Sequence, residues 1–254
     1  MKITASVRLL LRSHARRIGF MIAFAAVFLF AAFTVRLLTD TGDGHAELDR
    51  LFAFGGPTLA SAFLLLGWLV GRFPVIVTLV LMAGFFSQDR ADGMARLYLA
   101  RPVSPIAFYA LRFATLAALA FALSASLLPL FDLILLGAWA GAGSFALITA
   151  EVMVYGGLVV LLSLFTRADA WVAFLIAVLA MTWHSLRAAG FLDALTPAGR
   201  ETITFLLPPH GALFAIESAF GDLRPVPWDA FAFACAWGVM MLVLAGVFVG
   251  RREV

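Results

Sequence analysis

"SQDRADGMARLYLARPVSP", residues 87–105, decides how this chain is read, because it is the one long charged and turn-forming stretch between two apolar runs. It carries Asp89, Arg90, Asp92, Arg96 and Arg101 and closes on Pro102 and Pro105. Around it the chain is 63% hydrophobic and 13% charged over 254 residues, with a mean hydropathy of +1.02. That leaves too little polar surface to cover a soluble globule. The expected fold is therefore all-α, a polytopic membrane protein. Crossing roughly 30 Å of hydrocarbon takes about 20 apolar residues, and runs suited to it lie near 18–38, 73–87, 106–129, 144–165, 170–188 and 229–250. Six transmembrane helices are predicted. Residues 55–70 prolong the second run, which is interrupted at Arg72 and Pro74, and they read either as a tilted part of span two or as a separate interfacial helix.

Charge supplies an orientation. With both termini cytoplasmic, the inner segments hold twelve basic residues (Lys2, Arg8, Arg12, Arg16, Arg17, Arg90, Arg96, Arg101, Arg112, Arg167, Arg251, Arg252) and the outer ones five, with Arg72 unassigned. The positive-inside rule favours that placement. Most acidic residues fall outside, among them Asp40, Asp193, Glu201, Glu217 and Asp229. The sequence pI near 9.6 thus reflects orientation in a membrane, and with no basic patch interleaved with aromatics no nucleic-acid partner is expected. In "MKITASVRLLLRSHARRIGF", residues 1–20, Arg8, Arg12 and Arg16 recur every four positions while Val7, Leu10, Leu11 and Ile18 share another face. This predicts an interfacial amphipathic helix over 1–17, held by membrane lipids of anionic charge. A secretory signal is the competing reading, opposed by a long apolar core and the lack of a clear small-x-small cleavage site.

Several chemistries are excluded or disfavoured. Lys2 is the only lysine, so the chain has no G-x-x-x-x-G-K-[ST] phosphate loop and no internal Schiff-base lysine. Cys235 is the only cysteine, which rules out an internal disulfide, a CxxC pair or a thiolate metal cluster. His14, His45, His184 and His210 are dispersed without i, i+4 spacing, so no metal or haem site is expected. Gly143-Ser144 and His184 could form a serine–histidine pair, but a helix cap and an interfacial aromatic-belt residue explain them better, and no G-x-S-x-G elbow supports catalysis. Enzymatic activity is not expected.

Three charges fall at similar depth near the outer leaflet: Arg72, Asp132 and Glu151. Each is costly in hydrocarbon unless paired or hydrated. They form either a salt-bridged intramembrane cluster, or, for Arg72 and Asp132, side chains that snorkel to the headgroups. Residues 189–228 are amphipathic and proline-punctuated rather than a span, and read as a folded outer segment packed on the spans. No repeat relates 1–127 to 128–254, which argues against a secondary carrier built from two halves.

Within 87–105 the first thirteen residues have helical character, and "RPVSP" ends it, since proline removes an amide donor and disfavours helix in the residue before it. A short surface helix between two spans is a lever for a soluble partner. An ordinary solvated loop is the simpler alternative.

The run Asp89-Arg90-x-Asp92-Gly93, then Leu97, then Arg101-Pro102-Val103-Ser104, resembles the loop between the second and third spans in membrane subunits of ABC transporters of the type 2 permease family. The likeness is strongest over 88–112 and loose elsewhere. Asp89 and Asp92 stand where glutamates are common in that family, and Met94 where threonine is frequent. The resemblance implies a single permease domain over 1–254, forming a homodimer or heterodimer in a prokaryotic inner membrane and binding no cofactor of its own. ATP would be bound by a separate cytoplasmic ABC ATPase subunit. That subunit would dock on a coupling helix made by Asp89, Arg90, Asp92, Gly93, Arg96 and Leu97, with Arg101 and Pro102 fixing its exit angle. The cargo would be exported, and 189–228, through Phe205, Leu206, Leu207, Leu213, Phe214 and Ile216, would form either a re-entrant element in the outer leaflet or a folded outer loop, while a lining of Phe, Leu and Ala suits lipidic or amphipathic molecules and equally suits plain contact with lipid. The other readings are a non-transport membrane scaffold or assembly subunit, and a secondary transporter.

Overall fold

In hydrocarbon the backbone has no water to bond, and a helix satisfies its amides within one segment. The computed structural model of the chain describes residues 8, 10–39, 68–91, 105–136, 141, 143–221 and 224–252. Among these, the regular structure is helical with no strands. In chain order the helices are α1 (Ala15–Thr39), α2 (Phe73–Met82), α3 (Ser87–Ala91), α4 (Pro105–Leu136), α5 (Gly143–Leu162), α6 (Asp169–Ala188), α7 (Pro197–Leu206), α8 (His210–Gly221) and α9 (Trp228–Arg252).

Among the described residues, five stretches are long and apolar enough to cross a membrane: Ala15–Thr34, Ile106–Phe131, Gly143–Leu162, Asp169–Ala188 and Trp228–Val249. They coincide with five of the six expected runs. The remaining one, around Phe73–Asp89, forms a shorter apolar helix. Its helical hydrogen bonding begins earlier, with Arg72 N–H donating to the Trp68 carbonyl at 3.1 Å, and it stops at Met82, where Gly84 takes a φ of +76° and turns the chain into α3. A side chain in that left-handed region would be strained. Of the prolonging stretch 55–70, residues 55–67 lie outside the described residues.

The centre of the bundle is α5, which packs against α9, α2, α4, α8 and α6. Its buried side chains include Ile148, Glu151, Val154, Tyr155 and Val159. At the crossing of α5 and α9, Gly157 and Gly238 bring the backbones so close that a Cβ on Gly157 would meet the Gly238 carbonyl, and one on Gly238 the Met153 carbonyl. Small residues permit such approach between helices in lipid, where packing rather than hydrophobic expulsion drives association. A second cluster joins Met21, Phe73, Val77, Leu127, Ile148 and Val152 from α1, α2, α4 and α5. The bundle's outer faces stay apolar: Val27 and Phe30 on α1, Leu175 and Leu179 on α6, and Val243 on α9 are all exposed. Such side chains suit contact with acyl chains.

Two expectations are refined. The third span was expected to end at Pro129, yet α4 continues through it to Leu136, as helices in lipid tolerate proline where neighbours re-satisfy the freed carbonyl. Residues 10–13 run into α1 through a helical turn at His14, and Leu10 is buried in the core beside Met82 and Phe85. Residues 1–7 and 9 of the expected interfacial helix lie outside the described residues.

Candidate functional site

Successive helices alternate in direction, so polar side chains gather at the two ends of the bundle. One end collects the start of α1, the turn into α3, the start of α4, the start of α6 and the close of α9. There α3 is moored by three charged side chains from three different helices. Arg112 of α4 donates from Nη1 to Asp89 Oδ2 at 2.5 Å, with side-chain exposures of 7% and 12%, and its guanidinium lies 5.0 Å from the centre of the Phe85 ring. Arg17 of α1 donates to the Ala83 carbonyl and, at 3.2 Å, to Gln88 Oε1. Asp169 at the head of α6 accepts from Gly84 N–H at 2.8 Å and is itself buried. The Ser163 hydroxyl completes the mooring, accepting from Phe86 N–H at 3.3 Å. Close by, burial pushes the His14 imidazole below its ordinary pKa, opposed by a ring contact of 3.0 Å with the Leu10 carbonyl.

Beside this mooring lies an open groove of about 340 Å³, bordered by Arg17, Gln88, Arg167, Asp169 and Trp171. Trp171 projects from it, 73% exposed. A groove with two arginines and an exposed indole next to a short charged helix is a surface a soluble partner can grip.

The opposite end holds the second polar group. Arg72, ahead of α2, donates from Nη2 to both oxygens of Glu217 on α8 at 2.9 and 3.0 Å, and from Nη1 to Glu151 Oε1 on α5 at 3.4 Å. Arg72 and Glu151, weighed as members of an intramembrane cluster, meet here, and the third member is Glu217. Asp132, proposed for that place, lies on α4 and its side chain is outside the described residues. The signal for Glu217 was legible only in hindsight of the fold. It is the one charge in the apolar run His210–Gly221, but which neighbour it meets depends on α8 folding back onto α5.

That folding back gives residues 189–228 their form: α7 and α8, joined by the buried pair Pro208-Pro209, form a helical pair capping this end. Thr196 caps α7 by accepting from Gly199 N–H at 3.3 Å, and Leu213 and Ile216 enter the core. Between α6, α7, α8 and the start of α9 lies a cavity of about 510 Å³. Its wall includes Trp183 and Arg187, both donating to the Thr204 hydroxyl at 3.0 Å, and Arg187 also pairs with Glu201 at 2.7 Å. Two histidines far apart in sequence meet there, His184 and His210, with ring centres 5.5 Å apart. Burial, with Arg72 and His184 nearby, pushes His210 down to about 4. Among the described residues no group of three or more His, Cys, Asp or Glu could hold a metal ion. Ser144 donates to the Gly141 carbonyl at 3.0 Å, while the His184 ring packs on His210 and Phe214, so the weighed serine–histidine pair is not assembled.

Of the expected docking residues, Asp89 sits in the mooring and Arg90 lies on α3 with its side chain outside the described residues. Asp92, Gly93, Arg96, Leu97, Arg101 and Pro102 also lie outside them. No family model, no curated protein and no solved structure matches this chain.

Proposed function

We propose that this chain is the transmembrane permease subunit of an ATP-binding cassette transporter, an exporter driven by a separate cytoplasmic ATPase that grips the helix beginning at α3. The observation that carries this reading is the mooring of α3. Three ionic side chains from α1, α4 and α6 converge on a few residues at one end of the bundle, and two of the charges, Asp89 and Arg112, are withdrawn from water. Desolvating ions costs several kcal/mol apiece by order of magnitude. A loop with no mechanical task has no use for such an expense, whereas a lever does, because stiff attachment to several spans turns a push on one segment into rigid-body motion of the bundle. Lys2 as the sole lysine is consistent with an energy source on another chain.

In this account the apolar helix that ends at Met82 belongs to the sixth span. Both termini are cytoplasmic, residues 1–17 lie along the inner surface of a prokaryotic inner membrane, and two permease copies assemble, identical or related. The α7–α8 pair then caps the outer end as a re-entrant lid over the exit, with the cavity beneath it suited to an amphipathic cargo. A secondary carrier is the second reading, favoured by the buried Arg72–Glu151–Glu217 group; a non-transport scaffold would use the mooring only as a fixed interface.

The test is reconstitution of the chain with its ATPase. Arg90→Glu combined with Arg96→Glu should abolish ATPase association and substrate-stimulated hydrolysis while membrane insertion is unchanged. Association at the original level in the double variant would overturn the proposal. Transport without any ATPase, driven by an ion gradient, would favour the carrier.

A further inference from the structure

The group at the capped end is out of charge balance. One guanidinium, Arg72, faces two carboxyl groups, Glu151 and Glu217, and the three come from three separate elements. Glu217 is 31% exposed at its side chain, so water stabilises its charge; Glu151 is 1% exposed and, among the described residues, its Oε2 has no hydrogen-bond partner. The distances divide the same way. Both Glu217 oxygens lie within 3.0 Å of Nη2, the range of charge-assisted bonds, while the Glu151 contact is stretched to 3.4 Å. Arg72 is thus committed to Glu217.

We infer that Glu151 is a proton-binding site in which Oε2 carries the proton and the side chain stays a neutral carboxylic acid at neutral pH. An orphaned neutral hydroxyl in a dry interior costs far less than an orphaned negative charge. Among the described residues, the surrounding groups do not supply the missing positive charge. Tyr155, one turn along α5, is neutral in its ordinary form, and His210 on α8, pushed down to about 4 by burial, with Arg72 and His184 nearby, is neutral at pH 7. His184 of α6 faces His210, and α9 opens with the exposed Asp229, while the Asp132 side chain of α4 lies outside the described residues. A metal cation in place of the proton is opposed by the Arg72 charge and by the shortage of oxygen ligands, since hard cations take six or more; among the described residues no cluster suited to a metal is present.

Loss of that proton has a mechanical consequence. An ionised Glu151 competes with Glu217 for the single guanidinium, and Glu217 is what ties α8 to the helix carrying Arg72. The proton therefore sets whether the Arg72–Glu217 pair between α8 and the start of α2 stays intact, on top of the apolar packing of Leu213 and Ile216. This inference stands apart from the ATPase reading and holds for carrier or permease alike.

The test is infrared difference spectroscopy on the full chain reconstituted in lipid bilayers at pH 7. Wild type minus Glu151→Gln should show the loss of one protonated carboxylic carbonyl band with no loss of carboxylate bands. Glu217→Gln supplies a second reading that needs no change at Glu151: with its competitor gone Arg72 turns to Glu151, which ionises, so the acid band should vanish although the residue remains. Loss of a carboxylate band in the first comparison, or an acid band unchanged in Glu217→Gln, would overturn the inference.

Discussion

Arg112 of α4 and Asp89 of α3 meet at 2.5 Å where the short charged helix touches the bundle, and both side chains are nearly closed to solvent. Removing one partner of a buried ion pair typically costs about 3–5 kcal/mol, whereas replacing both by apolar residues of similar size is often neutral. Arg112→Ala should therefore sharply lower the thermal midpoint of the detergent-solubilised protein, and Arg112→Met with Asp89→Leu should restore most of it. In the lever account the restored variant still transports poorly, because a greasy contact slides where an ion pair holds. Full transport in the double variant would reduce the pair to a packing element.

At the crossing of α5 and α9 there is no space for a side chain on Gly157 or Gly238, because the nearest neighbours are backbone carbonyls rather than movable side chains. Overpacking typically costs about 1–3 kcal/mol and more where the backbone must move. Gly157→Leu and Gly238→Val should each abolish a monodisperse peak in size-exclusion chromatography, while Gly246→Ala, on the same helix with nothing within 4 Å of its added methyl, should not.

How much of this was legible beforehand differs from feature to feature. Five spans could be placed to within a few residues, because uninterrupted apolar runs leave helix as the only structure that satisfies the backbone in lipid. The run after Arg72 was harder: it is apolar enough, but Gly84 turns the chain within it and Arg72 precedes it. Asp89 was picked out for contact with a partner, yet within the chain it faces Arg112, since a charge in a loop does not announce whether it points outward or back at the bundle. Similar depth brought Arg72 and Glu151 together only as candidates for a cluster, with snorkelling of Arg72 to the headgroups the simpler alternative. Glu217 and the His184–His210 contact did not, because both depend on α8 lying against α5 and α6, a tertiary arrangement with no periodic trace in the sequence.

Orientation can be read with thiols. In a Cys235→Ala background, a cysteine at Leu195, which is exposed near the α7–α8 pair, should react with a membrane-impermeant maleimide on intact cells. Cysteines at Gln88 and at Arg167, both exposed at the end of the bundle that carries α3, should react only after permeabilisation. Reaction at all three from outside would contradict the assigned sidedness.

Acid should weaken the capped end. His210 has a folded pKa of about 4 against an ordinary 6.5, so between those values the unfolded chain binds a proton that the folded one refuses. Its contribution is complete above about pH 6.5 and is lost as the pH falls toward 4, on the order of 2–3 kcal/mol over the full window. Thermal melts of wild type and His210→Asn between pH 4.5 and 7.5 should differ in slope, with the variant flatter.

The most direct test of the central claim is affinity purification of the tagged chain from its native membrane with identification of what accompanies it. The account predicts a stoichiometric P-loop ATPase, present with wild type and lost with Arg90→Glu and Arg96→Glu. A preparation that transports cargo with no such ATPase bound, or that retains it undiminished in the double variant, would contradict the account.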